Sequence, residues 1–115
     1  MKQNMRKRVY AKTGGLCWYC GDKADTVDHF IPLDMHKRKT HNQRFPWLSG
    51  LRRRGFINLV PACEDCNQLK TNLLLHEFRG KVEGLERCKY HRGADGRVRF
   101  FGERFLPQEI YNVNV

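Results

Sequence analysis

Short apolar runs alternate with polar and glycine-containing breaks along this chain, and no run is long enough to span a membrane. Phe56 to Val60 reads FINLV, a short and largely apolar stretch that predicts a strand ended by Pro61. Ala62, Cys66, Leu69 and Leu73 then recur at steps of four, three and four, which gives one apolar helical face. Glu64 and Asp65 stand near the start of that helix, where its dipole favours acids, and Gly80 is its expected stop. Thr26 to Ile31 predicts another strand, closed by Pro32. Residues 2–13 predict a short basic helix with Val9, Met5 and Tyr10 turned inward, ended by Gly14-Gly15. Residues 87–91 and 97–101 predict a C-terminal β-hairpin turning at Gly93-Ala94-Asp95-Gly96. The pattern is that of an α+β protein, and 115 residues make one domain, 1–115.

A domain of this size buries a modest core, so a structural metal would stabilise it appreciably. The cysteines suggest one. Cys17-x-x-Cys20 is followed by Gly21, which permits the tight turn of a zinc knuckle, and Cys63-x-x-Cys66 repeats the spacing. The spacing lets both thiolates of a turn face one ion, and two such turns supply four ligands for a structural zinc. The gap between the pairs is 42 residues, so a substructure must lie between them. Cys88 is left over, and Cys88-x-x-His91 alone is only half of a second site. No signal-peptide core follows the basic N-terminus, so an intracellular, cytoplasmic protein is expected, where paired cysteines bind metal more often than they form disulfides.

Charge adds a partner class. The chain carries a net +10, and the bases lie in blocks. Residues 2–12 hold five bases and no acid, and residues 31–55 hold seven bases and one acid. The segments around the cysteine pairs, 13–30 and 56–78, are each −2. Basic flanks around a mildly acidic middle suit a polyanion outside and cations inside; a merely solvated basic surface is the plainer alternative. Lys37-Arg38-Lys39 and Arg52-Arg53-Arg54 enclose Phe45-Pro46-Trp47, a mixture suited to phosphate contact and base stacking. Arg97 and Arg99 alternate onto one strand face, where they either meet phosphates or simply face water.

The Thr26–Ile31 strand carries Asp28 and His29 side by side. An aspartate is a hard-cation ligand, and histidine is the side chain whose ordinary pKa suits proton transfer near neutrality. Together, Cys17-x-x-Cys20-Gly21, Asp28-His29, Asn58 and Cys63-x-x-Cys66-Asn67-x-x-Lys70 resemble the HNH endonucleases in their zinc-knuckle form, over residues 17–70. Asn58 and Asn67 lie nine residues apart, similar to that family's spacing.

The resemblance implies a small ββα-metal (His-Me finger) core spanning 17–78, with a four-cysteine zinc site pinning it from outside. It implies that His29 is the general base for water and that Asn58 orients the strand carrying it. Asp28 and Asn67 would hold one catalytic magnesium or manganese ion. Separately, as bases of a basic chain, Arg52, Arg53, Arg54, Lys70, Arg97 and Arg99 are expected against DNA. Asn67 stands where the family's third letter is histidine, and an amide oxygen favours a hard cation. The connection from 31 to 55 is basic and longer than the family's compact loop, as a DNA-binding insertion would be.

On this reading the protein is a metal-dependent endonuclease that hydrolyses DNA, duplex first, and leaves a 5′-phosphate and a 3′-hydroxyl. The chemistry requires a placed water, a base for its proton and a cation for charge on the leaving oxygen. Neighbours on a regular strand point to opposite faces, so Asp28 and His29 share a site only if the strand bends. The competing class is a non-catalytic zinc-knuckle module that only binds nucleic acid, which has no need of Asp28-His29, Asn58 and Asn67. No membrane partner is expected; a homodimer or a larger complex stays open.

Overall fold

The computed structural model describes residues 3–32, 56–85 and 89–104. Arg52, Arg53 and Arg54, which the sequence reading expects against DNA, nearly all of the 31–55 segment and Cys88 lie outside that set.

The chain opens with α1 (Gln3–Tyr10), continued by a 3-10 turn over Ala11–Thr13. Gly14 (φ 64°) and Gly15 (φ 87°) then reverse it in the left-handed region that glycine adopts most readily. Val9 is fully buried, while Met5 and Tyr10 are only half-buried. Two strands follow, β1 (Thr26–His29) and β2 (Leu59–Ala62), paired antiparallel with Thr26 opposite Ala62 and His29 opposite Leu59. Two helices complete the frame, α2 (Glu64–Lys70) and α3 (Leu75–Glu83).

Three elements depart from the sequence pattern, each for a physical reason. β2 runs through Pro61, and Phe56–Asn58 forms a 3-10 turn instead of its first half. The amide of Phe30 donates to Asn58 O (2.8 Å), so positions 58, 60 and 62 bond toward β1 while 59 and 61 face the other edge. Pro61 therefore takes no donor from the ladder, and its carbonyl accepts from the Trp18 amide (2.8 Å) on the outer edge. The single expected helix after Cys63 is two helices. Thr71, at φ 47°, ends α2 with its amide on Asn67 O (3.0 Å). The amide of Leu74 donates to the Glu77 carboxylate (2.9 Å) and starts α3 afresh. Gly80 sits inside α3, which stops at Gly84. Among the described residues the C-terminal hairpin is a turn with one isolated bridge, Arg92 to Val98, and residues 87 and 88 of its expected first strand lie outside them.

The core lies between the sheet, α3 and the C-terminal segment. Trp18, Tyr19, Phe30, Phe78, Tyr90 and Phe100 pack there mostly edge to face, with Phe78 and Phe100 stacked at 5.2 Å. Val60 and Ala62 feed this cluster from one face of the sheet. Val9 and Leu59 are buried outside it, so α1 packs against the opposite face, the one that carries His29.

Candidate metal centre and histidine strand

The turns at Cys17–Gly21 and Cys63–Cys66 are built alike. The Cys20 amide approaches Cys17 Sγ (3.5 Å), and the Cys66 amide donates to Cys63 Sγ (3.4 Å) at the head of α2. Gly21 takes φ 84° and returns its amide to Cys17 O (2.9 Å), as the tight turn requires. The Asp25 carboxylate accepts from the Glu64 amide (2.9 Å) and so ties the first turn's loop to the second. All four sulfurs lie within 4.8 Å of one another, and Cys20 Sγ and Cys63 Sγ are 3.7 Å apart. Among the described residues this is the one group of three or more metal-ligating side chains. It could hold a metal ion.

The electrostatics of the cluster suit a cation. Hydrogen bonds from Cys20 and Cys66 hold the Cys17 thiol far below the usual thiol range. The bond to Cys17 pushes Cys20 up to about 12 and Cys66 higher still, because one thiolate makes the next costly. A bound cation relieves that conflict by favouring all four thiolates. Two further groups face the sulfurs, and the spacing argument missed both. Tyr90 Oη lies 3.0 Å from Cys66 Sγ, and Lys89 Nζ lies 3.8 Å from Cys63 Sγ. Burial pulls Lys89 down, yet the surrounding thiolates leave its ammonium well above the ordinary lysine value.

Asp28 and His29 separate onto opposite faces of β1, as a regular ladder requires. Asp28 points inward and is 6% exposed. Its Oδ2 is 3.2 Å from Lys70 Nζ and also accepts from the Tyr19 hydroxyl. Lys70 is fully buried, and its ammonium donates as well to His29 O (3.1 Å). A residue with no exposure cannot contact DNA, so the assignment of Lys70 to a phosphate is corrected. Burial lowers the Lys70 pKa, with the Asp28 charge working against it. The Asn67 side-chain nitrogen donates to Thr26 Oγ1 (3.2 Å). Asp28 and Asn67 thus lie on one sheet–helix seam, each engaged by a different partner.

His29 is half-buried at the end of β1. The backbone beyond it is held by Asn58. Asn58 Oδ1 accepts from the Ile31 amide (2.7 Å) and Asn58 Nδ2 donates to Ile31 O (2.9 Å), a two-bond clasp on one residue. Arg97 is engaged by Glu83 (2.8 Å) and Arg99 by Asp95 (2.7 Å), so both guanidinium groups already have acidic partners.

Against known protein families, curated proteins and solved structures, the chain matches none. Among the described residues no helix is long and apolar enough to cross a membrane.

Proposed function

We propose that this chain is a zinc-stabilised endonuclease of the HNH type, in which His29 activates water for hydrolysis of a DNA phosphodiester. The observation that carries the reading is the Asn58 clasp. It fixes the backbone two residues past His29, while Lys70 holds the His29 carbonyl from within. A base must be held to a fraction of an ångström to act, and these bonds supply that restraint. The order strand, strand, helix with cysteine turns at its edge supports a ββα-metal core.

Zinc suits the cysteine cluster. Tetrahedral zinc with sulfur at about 2.3 Å sets sulfurs about 3.8 Å apart, and Cys20 Sγ and Cys63 Sγ stand 3.7 Å apart here. The Lys89 ammonium and the Tyr90 hydroxyl would offset the excess charge of four thiolates around the ion. The magnesium or manganese ion implied for Asp28 and Asn67 does not suit the arrangement described. The Asp28 carboxylate is buried and already faces an ammonium, and the Asn67 amide is turned to Thr26. In the remaining chemistry His29 takes the proton of the attacking water as its oxygen bonds to phosphorus, the P–O3′ bond breaks and the departing 3′-oxygen takes a proton from solvent, while Asn58 and Lys70 keep the histidine strand in place.

The closed Asp28 pair also favours a second reading, a zinc module that binds nucleic acid without cutting it. Incubation with supercoiled plasmid plus magnesium or manganese separates the two. Wild type should nick or linearise the plasmid. His29→Ala should keep its zinc and cleave at least about a hundredfold more slowly, the loss expected for a positioned base. Equal cleavage by His29→Ala would remove His29 from the mechanism. No cleavage by wild type on any DNA form leaves the binding module.

A further inference from the structure

We propose that Arg8, Lys12 and Phe56 form a subsite for a backbone phosphate of bound nucleic acid, on the His29 side of the sheet. Arg8 and Lys12 lie four residues apart, the spacing that stacks side chains on one helical face and at which like charges repel. Both approach one ring. The Arg8 guanidinium carbon is 4.6 Å from the Phe56 centroid and Lys12 Nζ is 4.1 Å from it. Lys12 Nζ also donates to Phe56 O and Leu59 O, each at 2.6 Å. A ring face and two carbonyls attract cations but carry no formal negative charge. Among the described residues, no ion pair joins Arg8 or Lys12 to an acid. The first acid in the whole chain is Asp22.

Among the described residues, two cations are thus held together without an anion. Burial first, and the Arg8 charge second, bring Lys12 down to about 8, so an arriving negative charge is favoured there. Donors remain for it. Lys12 uses two of its three N–H groups on carbonyls, and a guanidinium stacked on a ring keeps its edge free. Position selects the ligand. Leu59 O, which holds Lys12, is on the outer edge of β2, and Leu59 pairs with His29 across the ladder. Paired residues share a sheet face, so an anion on Arg8 and Lys12 lies on the face that carries Leu59 and His29, at the outer edge of β2. A polymer with regularly spaced phosphates can fill this subsite while presenting another phosphodiester to His29. Exposed Arg6 and Lys7 on the same helix extend the positive surface.

The assignment rests on the nucleic-acid reading above, and its test is separate from cleavage. A short fluorescein-labelled DNA duplex is titrated by anisotropy over a salt series in a His29→Ala background, without added divalent ions. Arg8→Gln should weaken binding about threefold to tenfold and lower the log–log salt slope by up to about one unit. Phe56→Leu, which removes the ring holding both cations, should weaken it in the same direction. Unchanged affinity and slope for Arg8→Gln, with zinc content intact, would overturn the subsite and leave the nuclease reading standing. A full Arg8 effect in a protein that never cleaves would support the subsite and sink the nuclease. An equal Arg8 effect on a polyglutamate probe would mean a patch for any polyanion and overturn the phosphate assignment. Absence of any DNA binding would end both.

Discussion

Two places in this fold gather metal-ligand residue types, and their charges are balanced in opposite ways. At Cys17, Cys20, Cys63 and Cys66 four sulfurs crowd within 4.8 Å with one ammonium at the rim. At Asp28 a single buried carboxylate already has its cation, the fully buried Lys70. The first site is short of positive charge once its thiols ionise; the second is not. A donor set calls for an ion where the protein has not provided the cation itself, and residue type alone does not distinguish the cases.

The most severe test of the contrast is removal of a sulfur. Cys63→Ala should take bound zinc from about one ion per chain to none and unfold much of the domain, because metal binding at such sites is folding free energy on the order of 10 kcal/mol. Elemental analysis with circular dichroism reads both; a folded, zinc-free Cys63→Ala protein would show that the cluster is not a metal site. At the other site, Lys70→Met leaves Asp28 buried without its partner and should cost about 3–5 kcal/mol in denaturant unfolding. The double variant Asp28→Leu/Lys70→Met should recover most of that loss. Magnesium added to Lys70→Met should not recover it. Recovery by magnesium would reveal a latent cation site and erase the contrast.

A smaller effect is expected where the two regions meet. Trp18 lies between Cys17 of the cysteine cluster and Tyr19, which bonds Asp28. The Gly102 amide donates to Trp18 O (2.6 Å), and a Cβ at Gly102 would land within the contact radius of the indole ring. Gly102→Ala should therefore cost about 1–3 kcal/mol by overpacking. It should also speed zinc release to a chromophoric chelator; an unchanged release rate would mean that the regions are mechanically separate.

The smallest effect concerns Lys12, a cation with no acidic partner among the described residues. Its folded value is about 8 against 10.5 when free, so the unfolded chain binds more protons between those pH values. This contribution makes stability rise with pH across that window. Arg8→Gln removes one cause of the shift and should flatten the rise. An identical pH profile for the variant would leave burial as the whole cause.

The sequence made the cysteine cluster legible because a Cys-x-x-Cys turn is a local motif whose geometry follows from its spacing. The Asn58 clasp was not legible in the residues; nothing in FINLV indicates that its amide would bond Ile31. Lys70 was misread because a base in a basic protein suggests phosphate. The opposing signal was present. Lys70 stands four residues after Cys66, on the helix face that the apolar pattern marks as buried, and Asp28 is the only acid on an otherwise uncharged stretch of strand. The break at Thr71 was hidden because Leu69 and Leu73 keep helical spacing across it, while the capping by Glu77 depends on a fresh start at Leu74.

The Asn58 clasp also bears on what can be altered by design. The Phe30–Asn58 backbone bond and the two Ile31–Asn58 bonds bring together residues 28 and 27 positions apart in sequence at a single crossing point. Closure there is secured by groups at the crossing itself, and the entropy of closing a loop grows only with the logarithm of its length. Ile31 and Asn58 are therefore natural splice points. A binding segment of foreign sequence and different length could be exchanged between them while the histidine strand keeps its anchor.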